Sequence, residues 1–135
     1  MTSAKQASLP IRSQEDVVIV RRAVRTAAVE LGLSLIDQTK VVTAASELAR
    51  NTLVHGGGGS VLIEHMEEES RRGLRLTFED SGPGIPNIER ALTDGYTSSG
   101  GLGLGLGGAK RLSSEFSIWS EPGKGTRVVI TRWKG

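Results

Sequence analysis

The sequence predicts an α+β fold, a two-layer α/β sandwich in which helices pack on one face of a mixed, mainly antiparallel sheet. Two observations favour this fold. Two segments with the spacing of half-buried helices follow each other in the first half of the chain, and most strand-like segments come in pairs joined by short turns. A doubly wound α/β fold would alternate strands with helices instead. The length of 135 residues corresponds to one ordinary domain.

Two helices are predicted from apolar residues that recur every three or four positions. The first covers residues 17–31, with Asp16 as its N-cap and Gly32 as its stop. The second covers residues 35–54, with an apolar face that begins at Ile36, and it ends just before a run of four glycines. Each helix is therefore expected to bury one face.

The segment before the first helix divides into two parts. Residues 1–8 are small and polar, so we expect a flexible N-terminus, whereas residues 9–12 predict a short strand. A single folded domain is therefore expected to span residues 9–135.

The second half of the chain predicts two hairpins and a third helix. The strands are rich in Val, Leu and Ile, and Gly and Pro mark the turns. In chain order the elements cover residues 60–66 and 74–80 (first hairpin), 86–92 (a helical turn), 102–113 (a glycine-rich start and the third helix), and 116–120 and 126–133 (second hairpin). The predicted order of the main elements is β-α-α-β-β-α-β-β.

Charge and composition exclude several classes of function. The formal net charge is only +2, and the basic doublets are isolated and lack interleaved aromatics, which argues against nucleic acid as a partner. The absence of cysteine excludes disulfides, thiol nucleophiles and cysteine-ligated zinc. No apolar run approaches the roughly 20 residues that span a bilayer, and the N-terminus has no apolar signal core. We expect a soluble cytoplasmic protein without a membrane partner.

Three polar side chains share one face of the second predicted helix. Glu47, Asn51 and His55 follow one another at four-residue intervals, so a carboxylate, an amide and an imidazole project in nearly the same direction. In isolation, such a set is also compatible with a solvated helical edge.

Asp80 ends a predicted strand on the face that carries its apolar residues. It has the same parity as Leu76 and Phe78, and an ionised carboxylate on a buried face costs several kcal/mol unless something satisfies it. One solution is a turn in which Asp80 accepts from the backbone N–H of Ser81 or Gly82. The other is a ligand with an exocyclic amino group. The Gly-Pro-Gly sequence that follows favours the ligand, because paired glycines let a backbone approach a flat molecule closely.

A third candidate element is the glycine-rich segment 99–108. Its glycines alternate with leucines that can anchor the loop, and an amphipathic helix follows directly. Backbone N–H groups at the start of a helix attract anions, so this segment predicts a phosphate site. A flexible linker is the alternative.

Two better-known glycine motifs fail on their context. Gly103, Gly105 and Gly108 match GxGxxG, but no predicted strand or βαβ unit precedes them. The phosphate-loop pattern needs Ser or Thr after its lysine, whereas Gly125 follows Lys124. The protein-kinase fold is excluded because the chain has neither a VAIK strand nor an HRD loop.

Together these motifs resemble those of the Bergerat-fold (GHKL) ATPases and kinases, the group of gyrase, Hsp90, the histidine kinases and MutL. Residues 47–55 resemble the N box, residues 80–84 the first glycine box, residues 101–105 the second, and residues 123–126 the last. All four occur in the family's order and cover most of the chain. The resemblance implies a two-layer ATP-binding domain.

Within that group the chain resembles the anti-sigma-factor serine kinases, and most closely the switch kinases of bacterial stressosomes, the RsbT type. The matching segments are residues 46–51, 80–86, 98–103 and 110–112. This resemblance implies a serine/threonine protein kinase that uses ATP and Mg²⁺ and phosphorylates STAS-domain partners, either a stressosome scaffold or an anti-sigma-factor antagonist. A phosphatase or cyclase is the implied output partner, and the chain is expected to be a monomer or a homodimer.

The resemblance also implies roles for individual residues. Glu47 would be the general base, Asn51 would coordinate Mg²⁺, Asp80 would bind the adenine amino group, and Thr126 would lie beside the adenine. The other implied nucleotide contacts are His55, Gly82, Gly84, Ile85, Ser99, Gly100, Gly101, Leu102, Gly103, Leu104 and Gly105. A neutral amide oxygen suits a cation that also binds a triphosphate, and Glu47 lies one turn away on the same face.

Two other functions fit parts of this pattern. An ATP-gated regulator that sequesters a sigma factor or an output enzyme would use the same site, with catalysis secondary. The catalytic domain of a histidine kinase is less favoured, because these residues include no dimerising helix pair with a phosphoacceptor.

Overall fold

A computed structural model describes residues 2–85, 88, 92 and 105–134, and its elements follow the predicted order. Of the helical turn predicted over residues 86–92, only Ile88 and Leu92 are described, and the Leu92 N–H donates to the Ile88 carbonyl at 3.0 Å, as in one α-helical turn. The described elements are β1 (Thr2–Ile11), α1 (Gln14–Leu31), α2 (Leu35–Val54), β2 (Gly59–Glu68), β3 (Arg71–Asp80), α3 (Gly105–Arg111), β4 (Glu115–Glu121) and β5 (Gly125–Trp133).

The strands form one open sheet in the order β1-β2-β3-β5-β4. Each of the four neighbouring pairs is antiparallel. The helices form a single layer, in which α1 and α2 contact the sheet and α3 contacts α2. The predicted two-layer sandwich is therefore confirmed. Within the described ranges, no helix is long and apolar enough to cross a membrane.

The first strand is longer than the sequence indicated. It begins at Thr2 rather than at residue 9, and it pairs with β2 from Thr2 to Ile11. Residues 2–8, expected to belong to a flexible N-terminus, therefore lie in an edge strand. Side chains 5–8 are exposed, so this part of the strand carries no apolar alternation that a sequence pattern could reveal.

Helix α1 is capped by Ser13 rather than by the predicted Asp16. The Ser13 hydroxyl accepts from the Asp16 N–H at 3.2 Å, and the Asp16 carboxylate accepts from the Arg12 N–H at 2.8 Å. Both side chains thus satisfy backbone donors at the helix start, which is why either one resembles a cap in sequence. Gly32 ends the helix as predicted, with φ +85°.

Helix α2 buries a narrower face than predicted. Its buried side chains begin at Val41, whereas Leu35 and Ile36 are 72% and 68% exposed. Asp37 faces the end of β5, where it contacts Arg132. Because each helical residue turns by about 100°, the two preceding side chains point away from the sheet.

The core lies between α1, α2 and apolar rows that run across the sheet. One row joins Val61, Phe78, Val128 and Ile118 through the strand register. Phe78 is 2% exposed, and burying a side chain of that size contributes about 1.5 to 3 kcal/mol. The next row toward the end of the sheet has the same parity but a different composition: it consists of Gly59, Asp80, Thr126 and Ser120. We call these four residues the terminal row.

Candidate nucleotide site

The terminal row places two predicted site residues side by side. Asp80 ends β3 and is the register partner of Thr126 at the start of β5. Asp80 shares the face of Phe78, as its parity predicts, and it is partly buried. A carboxylate and a hydroxyl therefore face the helix layer immediately beyond the apolar core.

The two oxygens of Asp80 have different surroundings. Oδ1 accepts from the Gly82 N–H at 2.9 Å, which is the turn considered from the sequence. Oδ2 has no hydrogen-bond donor among the described residues. It lies beside Gly56, where a Cβ atom would be only 2.5 Å from it. The turn therefore provides a donor for Oδ1, and Oδ2 remains able to accept a hydrogen bond.

The glycines that follow Asp80 pack against other backbone. A Cβ on Gly82 would lie 2.7 Å from the Gly56 Cα, and a Cβ on Gly84 would lie 2.9 Å from the carbonyl carbon of Glu121. Gly84 also has φ +82°. We expected these glycines to admit a flat ligand. In the described structure, their small size lets the segment fit between the α2–β2 loop and the β4–β5 turn.

The end of β4 contributes a residue that the sequence analysis missed. The Ser120 hydroxyl accepts from the Ile85 N–H at 2.7 Å, donates to the Gly125 carbonyl at 3.1 Å and lies 2.9 Å from the Thr126 hydroxyl. It therefore joins the first and last glycine boxes. The predicted turn over residues 121–125 sets the register of this hairpin, and following that register would have placed Ser120 opposite Thr126.

Glu47 connects α2 with the start of α3. Its side chain is 14% exposed, and Oε2 accepts from the Gly105 N–H at 3.2 Å. Oε1 lies 3.7 Å from the Arg50 guanidinium. The first N–H groups of a helix have no partner within the helix, so a carboxylate is well placed there. This contact brings the N box to the end of the second glycine box.

Asn51 and His55 occupy the following turns of α2. The Asn51 carbonyl accepts from the N–H groups of His55 and Gly56, which ends the helix, and His55 is its exposed C-cap. The Asn51 side chain is half-buried and forms no hydrogen bond with another described residue. An amide oxygen of this kind suits Mg²⁺, which takes one or two side-chain oxygens and completes its shell with phosphates and water. Among the described residues there is no cluster of three or more His, Asp or Glu that could hold a metal without such a ligand.

Six predicted nucleotide contacts cannot be placed relative to these groups. Ser99, Gly100, Gly101, Leu102, Gly103 and Leu104 lie outside the described residues.

An ion pair occupies the opposite end of the sandwich. Arg132 donates to the Asp37 carboxylate at 2.7 Å and to the Leu112 carbonyl at 3.3 Å, and both charged side chains are less than one-fifth exposed. The hydrogen bond from Arg132 lowers the pKa of Asp37 below its ordinary value, although burial opposes the shift. This carboxylate is satisfied by the protein itself.

Comparison with known sequences identifies the family of this chain. Residues 36–134 match the family described as histidine kinase-, DNA gyrase B- and HSP90-like ATPases. The chain belongs to this family of ATPases.

Its relatives include a protein kinase and an anti-sigma factor. Serine/threonine-protein kinase RsbT of Bacillus subtilis is 43% identical over 128 residues, which cover 95% of this chain and 96% of the relative. This relative confirms the predicted enzyme class, serine/threonine-protein kinase. The anti-sigma F factor of Clostridium acetobutylicum is 32% identical over 128 residues, covering 90% of this chain and 88% of that protein.

Solved structures support the fold. A crystal structure of RsbU and RsbW domains from Mycobacterium tuberculosis has a TM-score of 0.66 at 21% identity, covering 96% of this chain and 32% of that one. The mycobacterial sensor histidine kinase MprB has a TM-score of 0.56 at 17% identity, covering 96% of this chain and 97% of that one.

Proposed function

We propose that this chain is a cytoplasmic, Mg²⁺- and ATP-dependent kinase that phosphorylates Ser or Thr of a STAS-domain partner and so switches partners in bacterial stress signalling. Residues 9–135, together with residues 2–8 of the edge strand β1, would form the ATP-binding kinase domain. The observation that carries the proposal is the contact between Glu47 and the Gly105 N–H, because it brings the expected base to the segment expected to hold phosphates.

Each group in the site has a role that its chemistry supports. Oδ2 of Asp80 would accept from the adenine amino group, beside Thr126. Glu47 would take the proton of the incoming hydroxyl as the γ-phosphoryl group moves to that oxygen and ADP leaves. Asn51 would hold Mg²⁺, which neutralises charge on the phosphates. The further nucleotide contacts would come from His55, Gly82, Gly84, Ile85 and residues 99–105.

Phosphoryl transfer provides the direct test. The protein is incubated with radiolabelled ATP, Mg²⁺ and a STAS-domain protein encoded beside it, and the labelled residue is identified. We expect label on a Ser or Thr, and we expect Glu47→Gln to lower the rate by about 100-fold or more, since general-base catalysis contributes 10² to 10⁴. Gln keeps an acceptor for the Gly105 N–H but cannot take the proton.

Glu64→Gln is a matched control, because Glu64 lies in β2 with the parity opposite to that of the core residue Ile63. It should leave the transfer rate unchanged. No transfer by the wild-type protein to any STAS protein encoded beside it, or equal rates for wild type and Glu47→Gln, would refute the kinase proposal.

A second candidate function is ATP-gated sequestration of a sigma factor or an output enzyme such as a phosphatase or cyclase. The similarity to the anti-sigma F factor, 32% identical over most of both chains, favours it. An immobilised partner should then retain the protein to an extent that depends on ATP, and Glu47→Gln should preserve this dependence whereas Asp80→Asn should remove it. Retention that is indifferent to nucleotide would argue against this function.

A further inference from the structure

The Ser120 hydroxyl lies at a junction of three segments. It contacts the Ile85 N–H at 2.7 Å, the Gly125 carbonyl at 3.1 Å and the Thr126 hydroxyl at 2.9 Å. Thr126 is in turn the register partner of Asp80. We propose that Ser120 is a positioning residue that fixes the direction of the Thr126 proton and thereby makes the site select a 6-amino purine over a 6-oxo purine. This inference rests on the proposed nucleotide site.

Counting hydrogens assigns a direction to each of the three contacts. A serine hydroxyl has one proton and two lone pairs. The Gly125 carbonyl can only accept, so the Ser120 proton lies in that contact. The Ile85 N–H can only donate, so it uses one lone pair of Ser120. The contact between the Ser120 and Thr126 hydroxyls is therefore a hydrogen bond only if Thr126 donates its proton to the remaining lone pair of Ser120.

This assignment determines what Thr126 can offer to a ligand. Its single proton is engaged by Ser120, so toward the site its oxygen can only accept. Oδ2 of the neighbouring Asp80 has no donor among the described residues and is also an acceptor. Two adjacent acceptors match an exocyclic amino group, which has two N–H bonds, and they oppose a carbonyl oxygen at the same position.

The backbone at this junction is held tightly. Gly125 has φ +116°, and a Cβ there would overlap the Asp80 carbonyl oxygen. The Gly123 N–H also donates to the Pro83 carbonyl at 2.9 Å. Because the surrounding main chain has little room to move, removal of the Ser120 hydroxyl should change the direction of the Thr126 proton more than the position of the residue.

The test compares the dissociation constants of ATP and ITP, which differ at the 6-position of the purine and in the proton on N1. Wild type should bind ATP more tightly. In Ser120→Ala the Thr126 proton loses its acceptor and can turn toward the carbonyl of ITP, so the preference for ATP should fall by about tenfold. Ser120→Thr retains a hydroxyl and should restore the preference.

Ser117→Ala is the matched control, because Ser117 lies in the same strand, is exposed and pairs with Val129 in a different row. It should leave the preference unchanged. An unaltered ratio in folded Ser120→Ala would refute the role of Ser120 while leaving the proposed function intact. Wild-type protein that binds neither nucleotide would refute the proposed function itself.

A measurement on wild type alone covers the case in which Ser120→Ala does not fold. Purine riboside triphosphate has no group at the 6-position, so it neither donates to nor opposes the two acceptors. We expect the affinities to decrease from ATP through this analogue to ITP. Equal or tighter binding of ITP relative to purine riboside triphosphate would refute the inference.

Discussion

Each end of the sandwich carries a partly buried carboxylate, Asp37 at one end and Asp80 at the other, and the two carboxylates have different hydrogen-bond partners. Asp37, near the start of α2, receives a 2.7 Å hydrogen bond from Arg132 at the far end of β5. Asp80, at the other end of the β3–β5 pair, receives from the described residues only the neutral N–H of Gly82, on Oδ1. A carboxylate matched by a cation within the chain stabilises the fold, whereas one with a spare acceptor is suited to a ligand.

The surroundings of the two carboxylates differ in the same way. Asp37 is held mainly by the long side chain of Arg132, which can adjust its position. Asp80 is surrounded by glycine backbone, with Gly56 and Gly82 so close that a single added methyl group would overlap a neighbour. Backbone contacts of this kind leave little freedom, which favours a fixed geometry for recognising a flat ligand.

The largest expected effect is the loss of ATP affinity when the Asp80 carboxylate is replaced. Asp80→Asn keeps one acceptor for the Gly82 N–H but replaces a charged acceptor with an amide. We expect the affinity for ATP to fall by about 100-fold, because hydrogen bonds to charged groups contribute about 1.5 to 3 kcal/mol. Isothermal titration calorimetry measures the change, with Glu64→Gln as control. A loss smaller than about threefold would remove Asp80 from nucleotide binding.

Removing the Asp37–Arg132 ion pair at the opposite end should lower the stability of the fold and leave the nucleotide site intact. Asp37→Asn removes the charge that compensates Arg132, whose Nε is already buried and has no hydrogen-bond partner within the described part of the chain. We expect the free energy of unfolding to fall by roughly 2 kcal/mol, as for a partly buried charge pair. Urea denaturation gives this value, and ATP titration of the folded variant should give the wild-type affinity. The reverse pattern would overturn the comparison between the two ends.

Two adjacent glycines sharpen the comparison. A methyl group on Gly56 would meet the Asp80 carboxylate, whereas one on Gly57 would have no atom of a described residue within 4 Å. We expect Gly56→Ala to weaken ATP binding by about tenfold through displacement of Asp80. Gly57→Ala should cost only about 1 kcal/mol of stability, because Gly57 has φ +74°, and should not change affinity. Equal affinities of the two variants would show that the Asp80 position is adaptable.

The smallest expected effect is a difference in acid sensitivity. Because the native pKa of Asp37 is lowered, the unfolded state takes up its proton at higher pH than the folded state does. The stability from the pair is therefore present above the ordinary Asp pKa of about 3.9 and is lost as the pH falls through the lower native value. Urea midpoints measured at successively lower pH should fall more for wild type than for Asp37→Asn. Parallel curves would contradict this origin of the stability.

Periodic patterns identified the elements with buried faces. The spacing of apolar residues predicts α1 and α2, residue composition and turn residues predict both hairpins, and strand parity predicts Asp80 on the core face. Edge positions carry no such pattern, so the start of β1 at Thr2 was not predicted. Ser13 and Asp16 both carry cap-forming side chains, and only their hydrogen bonds distinguish them.

The site residues that escaped prediction act through distant contacts. Gly56 is one of four consecutive glycines that follow α2, yet it packs against the Asp80 side chain at the end of β3. Ser120 lies on an amphipathic strand like many serines, and its partners become apparent only from the register of β4 and β5. Local sequence indicates which elements form and which faces are buried, whereas the roles of Gly56 and Ser120 depend on contacts between segments that are distant along the chain.

The terminal row also has a consequence for how the sheet is held together. The β2–β3 hairpin brings together Gly59 and Asp80, and the β4–β5 hairpin brings together Ser120 and Thr126. Each hairpin can close locally, but the row is complete only when β3 docks on β5, which requires closure of a long loop. Any molecule that binds across Asp80 and Thr126 would therefore stabilise this long-range pairing of the sheet, and its protection against unfolding would measure how firmly the two hairpins are joined.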